Sequence, residues 1–169
     1  MAAEVETKKP MAIVLVGGGS RSGKSRWALD RARKRGRRLV FIATAEALDE
    51  EMTTRIAQHR AERGDEFETV EEPLDLARAI RSVSGDAIVV DCLTLWLANG
   101  QGDVEGTIAA AKEQAAEVIF VTNEVGCGIV PDNAMAREFR DRAGFVNQRF
   151  ADAADEVYLM VFGQALRVK

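Results

Sequence analysis

The amino-acid sequence predicts a three-layer α/β domain, with helices on both faces of a mainly parallel β-sheet and a short antiparallel edge strand at the C-terminal end. Two observations support this fold class. Short apolar runs alternate with longer helical stretches along the chain, which indicates repeated strand–helix–strand units. The apolar runs also contain few polar residues, as expected of strands that are covered on both faces.

Six segments have the composition of strands. The first five are short runs of mostly Val, Ile, Leu, Phe and Ala, and the sixth follows Gly163, where the chain is expected to fold back as a hairpin. The predicted strands comprise residues 11–16, 39–43, 87–90, 118–122, 157–162 and 166–169.

Six helices are predicted between these strands. Gly36 is placed to end the first helix, acidic residues from Asp49 onward complement the N-terminus of the second, and Pro73 suits the first turn of the third. The predicted helices comprise residues 25–35, 49–63, 73–82, 94–98, 104–117 and 132–154. The last helix carries five apolar residues at helical spacing that are expected to face the sheet, namely Met135, Phe139, Ala143, Val146 and Phe150.

Length and composition place the chain among globular proteins of one domain. Its 169 residues are 47% hydrophobic and 30% charged with three prolines, which excludes disordered and collagen-like classes. Residues 1–10 have no apolar core of a secretory signal, so we expect a disordered extension followed by a single catalytic domain over residues 11–169. The net charge of −4 argues against a general nucleic-acid binder. With only two cysteines and no apolar run of bilayer length, the chain is expected to be cytoplasmic and not inserted in a membrane.

A glycine-rich segment between the first strand and the first helix matches G-x-x-x-x-G-K-[ST], the pattern of a phosphate-binding loop. Glycines let the backbone wrap around anionic oxygens, so that N–H groups and the helix N-terminus point at the phosphates. Lys24 would neutralise the β and γ oxygens of a nucleotide and Ser25 would ligate Mg²⁺, while Arg21 either adds a cation or faces solvent. A turn that merely joins a strand to a helix would need neither this lysine nor this spacing. The motif comprises Gly18, Gly19, Ser20, Arg21, Ser22, Gly23, Lys24 and Ser25.

Asp91 follows the apolar run Ile88–Val90 and is the candidate second ligand of Mg²⁺. An acidic residue at the end of a buried strand approaches the metal in such sites, although an aspartate there can also cap the next helix. In parallel sheets the ligand lies beyond the carboxyl ends of the strands, where both Asp91 and the glycine-rich loop are expected. A dinucleotide-binding motif is excluded because Ser22 stands where its third glycine belongs.

His59 is the only histidine in the chain. It falls on the second predicted helix, four residues after Arg55, where a cation would help to keep imidazole neutral and would also meet an incoming phosphate. Neutral imidazole is a nucleophile toward phosphorus. From the residues alone, however, a lone histidine on a helix beside Met52 and Ile56 is more often a packed or partly exposed structural residue.

Five blocks of the sequence occur in an order that identifies a resemblance. Together they resemble the bifunctional adenosylcobinamide kinase/adenosylcobinamide-phosphate guanylyltransferase family of cobalamin biosynthesis, over residues 11–169. The resemblance implies a P-loop NTPase-like fold. The blocks are GGSRSGKS (18–25), FIATA with DEEMTTRIAQHR (41–60), DCLTLWLAN (91–99), VTNEVGCGIVP (121–131) and RDRAGFVNQR (140–149).

The family resemblance implies two reactions. A nucleoside triphosphate, ATP or GTP, phosphorylates the hydroxyl of adenosylcobinamide, and GTP then transfers GMP through an enzyme histidine to give adenosylcobinamide-GDP. His59 occupies the block of the guanylylated histidine, and Glu71 would contact the nucleotide, although a solvated helix N-terminus explains Glu71 equally well. The family also implies a homotrimer. The stretch 99–112 is shorter than is typical of the family, which puts its helix in doubt.

Two other function classes fit only part of the sequence. A P-loop kinase of small alcohols would use the glycine-rich loop and Asp91 but would leave His59 without a role. A GTP-binding switch would read guanine with Asn-Lys-x-Asp after a strand, whereas residues 123–126 are Asn-Glu-Val-Gly. The loop 123–128 is either a glycine-rich turn or part of the cleft wall.

Overall fold

A computed structural model describes residues 12–100 and 102–169; the predicted N-terminal extension and the first residue of the first predicted strand lie outside the described residues. Within this part of the chain, seven strands form one sheet in the order β3-β2-β4-β5-β1-β6-β7. All neighbours are parallel except β6 and β7, which are antiparallel. The strands are β1 Ile13–Gly18, β2 Leu39–Ala43, β3 Phe67–Glu71, β4 Ala87–Asp91, β5 Glu117–Val121, β6 Glu156–Val161 and β7 Gln164–Arg167.

Helices cover both faces of the sheet, which confirms the predicted three-layer fold class. One core cluster joins the sheet to helices on one face, and a second joins the other face to the first helix. No helix of residues 12–100 and 102–169 is long and apolar enough to cross a membrane. The helices are α1 Lys24–Arg33, α2 Glu50–Arg63, α3 Leu76–Ser82, α4 Leu93–Asn99, α5 Val104–Glu113 and α6 Ala134–Ala153.

Strand β3 is absent from the prediction. Its sequence, FETVE, has no apolar run, because it pairs only with β2 and leaves most of its side chains exposed. Phe67 alone is fully buried in it, and Val70 is half-buried. Phe67 and Val70 are three residues apart and pack against different core clusters, so this edge strand has neither an apolar run nor an alternating pattern.

The predicted boundary between α5 and β5 is wrong by several residues. The helix ends at Glu113 rather than at Glu117, and Glu117 instead begins β5, where its N–H donates to the carbonyl of Asp86. The Glu117 side chain is buried because it forms ion pairs with two arginines. Helix α5 does form, from Val104 to Glu113, although the short stretch 99–112 puts a helix there in doubt at the level of sequence.

The apolar face predicted for α6 is correct except at one position. Ala143, Val146 and Phe150 are buried in the core and Phe139 packs against it. Met135 is 80% exposed, because it lies in the first turn of α6, beyond the edge of the layer beneath it.

The C-terminal hairpin is confirmed, with β7 running from Gln164 rather than from Leu166. Val161 pairs with Gln164, so the turn consists of Phe162 and Gly163. Both have positive φ, 52° and 76°, which is the geometry of a type I′ turn.

Candidate active site

The glycine-rich loop lies between β1 and α1, at the carboxyl end of the sheet, as predicted. Gly18 and Gly23 have φ of 153° and 96°, conformations that side chains rarely adopt. A Cβ on Gly18 would lie 2.8 Å from the carbonyl oxygen of Met160 in β6, and a Cβ on Gly23 would lie 3.6 Å from the Cα of Gly163. The loop therefore packs against β6 and the hairpin turn, which leaves only glycine at its first position.

Lys24 begins α1 and is 7% exposed. Its ammonium donates to the carbonyl of Gly19 and lies 3.4 Å from the hydroxyl of Ser22. Burial lowers the pKa of Lys24, while the attraction of Asp91 counteracts this and Arg55 reinforces it. The lysine is thus folded back across its own loop, where it can meet phosphate oxygens that the backbone amides bind.

Asp91 ends β4, and its Oδ2 is buried without a hydrogen-bond partner in the described residues. Capping does not explain it, because the N-cap of α4 is Cys92, whose side chain accepts from the N–H of Leu95. A buried, unpaired carboxylate oxygen is costly, so its retention favours a cation partner. Asp91 and Ser25 line the same cavity and provide the hard oxygen ligands that Mg²⁺ prefers.

The described residues contain no group of three or more His, Cys, Asp or Glu side chains arranged to hold a metal ion. This fits Mg²⁺ bound through one carboxylate together with substrate phosphates, rather than a cage made only of protein ligands.

A buried hydroxyl holds the ends of β2 and β4 together beside Asp91. Thr44 Oγ1 donates to the carbonyl of Cys92 at 2.8 Å and accepts from its N–H at 2.7 Å. The amide of Asn99 in turn donates to the carbonyls of Thr44 and Pro73. Burial raises the pKa of the Cys92 thiol to about 11, so this thiol remains protonated and serves only as a cap.

These elements surround one cavity of about 1390 Å³, here called the strand-end cavity. It is bounded by the glycine-rich loop, the ends of β2, β3 and β4, and helix α2. Most of the predicted site residues line it, namely Arg21, Ser22, Gly23, Lys24, Ser25, Arg55, His59, Glu71 and Asp91. The first three residues of the motif, Gly18, Gly19 and Ser20, are not among its lining residues.

His59 and Arg55 reach the cavity from α2, which begins at an Asp49 cap whose carboxylate accepts from the N–H of Met52. His59 is half-buried, and no hydrogen bond fixes its ring within the described residues. The ring is therefore neither sealed in the interior nor remote from the loop, and its nitrogens are available to a ligand in the cavity.

Glu71 ends β3 and does not lie at a helix N-terminus. It forms an exposed ion pair with Arg60 and lines the strand-end cavity. Its neighbour Glu72 has a structural role, because it accepts from the N–H groups of Leu74 and Asp75 and pairs with Arg78.

The loop after β5 contributes to the cavity through Asn123, while residues 124–128 do not line it. The N–H of Asn123 donates to Thr94 Oγ1, and its carbonyl accepts from the amide of Asn147. Asn147 also accepts from Thr122 Oγ1 at 2.7 Å, so α4 and α6 together fix this part of the wall.

Sequence reasoning missed Arg63, which lines the cavity from the last turn of α2 and is 5% exposed. The spacing of Arg55, His59 and Arg63, each four residues from the next, is the signal that identifies it, since such residues share one helix face.

The comparison with known proteins agrees with this site. A family model described as CobU, cobinamide kinase / cobinamide phosphate guanyltransferase, matches residues 14–168. The bifunctional adenosylcobalamin biosynthesis protein CobP of Pseudomonas aeruginosa is 40% identical over 166 residues, covering 92% of this chain and 96% of that protein. CobU of Salmonella typhimurium, also described as a bifunctional adenosylcobalamin biosynthesis protein, is 40% identical over 181 residues, covering 93% and 99%.

Solved structures show a more distant likeness, which concerns the fold alone. The flagellar accessory protein FlaH of Methanocaldococcus jannaschii matches with a TM-score of 0.54 at 13% identity, covering 94% of this chain and 78% of that one. The RadB recombinase matches with a TM-score of 0.51 at 16% identity, covering 89% and 74%. The expected P-loop NTPase-like fold is thereby confirmed. The chain belongs to the cobinamide kinase/cobinamide phosphate guanyltransferase family, and it is a bifunctional kinase and guanylyltransferase of adenosylcobalamin biosynthesis.

Proposed function

We propose that the strand-end cavity serves both reactions, with the glycine-rich loop holding the triphosphate and His59 carrying GMP between donor and acceptor. The observation that supports this most directly is that Lys24, Asp91 and His59 line one cavity. The alternative from the sequence is an alcohol kinase without guanylyltransferase activity. Membership of the bifunctional family favours the two-reaction interpretation over it.

In the kinase reaction, the hydroxyl of adenosylcobinamide attacks the γ-phosphorus of ATP or GTP, and the bond to the β-phosphate oxygen breaks. The loop amides and the Lys24 ammonium stabilise the negative charge that develops on the transferred phosphoryl group. Ser25 and Asp91 would hold Mg²⁺, which when bound neutralises charge on the phosphates. Burial lowers the pKa of Lys24, and the attraction of Asp91 opposes this effect by favouring the charged ammonium.

In the guanylyl transfer, a ring nitrogen of His59 attacks the α-phosphorus of GTP, a nitrogen–phosphorus bond forms and pyrophosphate leaves. A phosphate oxygen of adenosylcobinamide phosphate then attacks the same phosphorus, which releases His59 and yields adenosylcobinamide-GDP. A covalent intermediate replaces one difficult transfer between two anions by two easier steps. Arg55, one helical turn before His59, lines the cavity and contributes positive charge near the α-phosphate.

The His59 assignment is tested by mass spectrometry of the protein after incubation with GTP and Mg²⁺. We expect one added GMP, mapped to His59, that is labile in acid and stable in base. In His59→Asn this label should be absent, while phosphorylation of adenosylcobinamide by ATP persists and serves as the internal control. A label on another residue, or an unlabelled wild-type protein that still makes adenosylcobinamide-GDP, would contradict the assignment.

We also infer that the enzyme assembles as a homotrimer, as the family resemblance implies. Large apolar side chains are exposed near the start of α6 and on the C-terminal hairpin, where they are available to an interface between subunits. Ile129, Met135 and Phe162 are 98%, 80% and 96% exposed.

A further inference from the structure

Helix α2 is attached to the rest of the molecule through an arginine. Arg63 is the only buried residue among the described residues of this helix, and none of the helix's apolar residues is buried. The Arg63 guanidinium carbon lies 4.0 Å from the centroid of the Phe41 ring in β2. This stacking fixes the plane of the guanidinium while leaving its N–H groups at the edge unused.

Arg63 has no anionic partner in residues 12–100 and 102–169. The half-buried Arg31, by comparison, binds two glutamates, and the exposed Arg60 pairs with Glu71. Within the described part of the chain, no ion pair or hydrogen bond involves the Arg63 guanidinium, although Arg63 is 5% exposed and lines the strand-end cavity. Buried charges in proteins are normally paired, so a buried arginine without a partner, beside a cavity, points to an anionic ligand.

Arg63 and the glycine-rich loop belong to different elements of the cavity wall. Burial lowers the pKa of Arg63 and Arg60 lowers it further, while Asp91 and Glu71 oppose these effects. Lys24 is also attracted by Asp91, but the cation that repels it is Arg55. Arg63 lines the cavity from the last turn of α2, above Phe41 of β2, whereas the glycine-rich loop lines it from the junction of β1 and α1.

We propose that Arg63 forms a second phosphate-binding subsite in the strand-end cavity, holding a phosphoryl group of the nucleotide or of the phosphorylated acceptor. The planar guanidinium can donate two parallel hydrogen bonds to a phosphate, which an ammonium cannot. Both ligands of the guanylyl transfer carry phosphoryl groups, which accounts for a second cation in the same cavity. The inference rests on the proposed use of this cavity for both reactions.

Binding calorimetry with unreacted ligands tests the subsite in two arms. The first arm measures the Kd of a non-hydrolysable GTP analogue, and the second compares the Kd of adenosylcobinamide phosphate with that of adenosylcobinamide. We expect Arg63→Met to weaken one arm by about tenfold or more, the loss typical of a charged hydrogen-bonded pair. Arg63→Lys keeps the positive charge but cannot donate two parallel hydrogen bonds, so its Kd should rise by a smaller factor. The first arm identifies a nucleotide phosphate, and the second identifies the phosphate of the acceptor.

Arg81→Met is the matched control, because Arg81 is exposed on α3, pairs with Glu113 and does not line the cavity. For Arg81→Met, the Kd values in both arms should stay within about twofold of those of the wild type, because the ion pair that is removed is exposed. If folded Arg63→Met also stays within twofold in both arms, Arg63 only anchors α2 and the proposal is wrong. Neither arm requires a bond to His59, so the subsite and the His59 assignment fail independently.

A measurement on the wild-type protein covers the case in which Arg63→Met does not fold. In protein labelled with ¹⁵N-arginine, the Arg63 Nε–H resonance, assigned with Arg63→Lys, should shift when the GTP analogue or adenosylcobinamide phosphate binds, because a phosphate oxygen accepts from it. An unshifted resonance at saturation with each ligand would overturn the proposal.

Discussion

At the end of β4, the Asp91 carboxylate combines a buried oxygen that has no hydrogen-bond donor with attraction to two cations, Lys24 and Arg63. Folding alone does not explain this arrangement, because a buried charge is costly unless it is directly paired. Binding of Mg²⁺ and phosphates would balance the three charges together. The residues that give the apo protein its least favourable electrostatics are thus those proposed to bind the substrates.

Asp91→Asn should separate the catalytic from the structural contribution of this carboxylate. Because Oδ2 accepts no hydrogen bond, we expect the free energy of unfolding without nucleotide to change by less than about 1 kcal/mol. Adenosylcobinamide phosphorylation should slow by about 100-fold, since charge stabilisation in the transition state is lost. Urea unfolding and steady-state kinetics measure the two quantities. A large loss of stability with unchanged kinetics would indicate a purely structural aspartate.

Single residues could be predicted from the sequence where their chemistry depends on near neighbours in the chain. The loop from Gly18 to Ser25 carries its signature within eight residues, so its position between β1 and α1 follows directly. Arg63 could not be predicted as buried, because its burial depends on Phe41, 22 residues earlier in another element. The spacing of Arg55, His59 and Arg63 places them on one face of α2, but it does not show that the last of them packs against the sheet.

At the scale of elements, α1 is fixed to the sheet by a network of charges. Arg31 binds Glu117 of β5 through two hydrogen bonds, of 2.8 and 3.0 Å, and Glu156 of β6 through two more. Arg35 also pairs with Glu117, and Tyr158 donates to Glu156 at 2.6 Å. The helix that begins at the phosphate-binding loop is thereby held against both strands that flank β1.

The pH dependence of stability should report this network. Hydrogen bonds from Arg31 and Tyr158 lower the pKa of Glu156 from 4.5 to about 2. Because the folded-state pKa is the lower one, the stabilisation is present above about pH 4.5 and is lost as the pH falls toward about 2. The difference in unfolding free energy between wild type and Glu156→Gln, from urea titrations followed by circular dichroism, should therefore shrink over this range. If the difference in unfolding free energy stays constant with pH, the pKa of Glu156 is not lowered by folding.

Elements that carry a local sequence pattern, such as an apolar run, can be predicted from the sequence. Elements that depend on contacts with distant parts of the chain cannot. The central strands and the hairpin follow from apolar runs and from Gly163, whereas β3 exists because β2 offers it a free edge. The sequence predicts Glu117 at the end of a helix, whereas in the structure it begins the buried strand β5. Its burial depends on Arg31, which no local pattern reveals.

At the scale of the whole molecule, the exposed apolar side chains predict assembly. Light scattering after gel filtration should give a mass of about three times 18.5 kDa for the wild type. Ile129→Ser should reduce this mass, because it replaces a 98% exposed apolar side chain on the loop before α6. Leu48→Ser, which replaces an 81% exposed apolar side chain just before α2, is the control and should leave the mass unchanged. A wild-type mass of one chain would contradict the trimer.

The contact of the glycine-rich loop with Met160 and Gly163 has a consequence for how the enzyme is made. During translation, β1 and its loop leave the ribosome long before β6 does, yet β6 is a direct neighbour of β1 in the sheet. The nascent chain therefore carries a complete phosphate-binding motif that lacks one of its walls. Affinity for nucleotide should arise late in synthesis, when the sixth strand inserts beside the first.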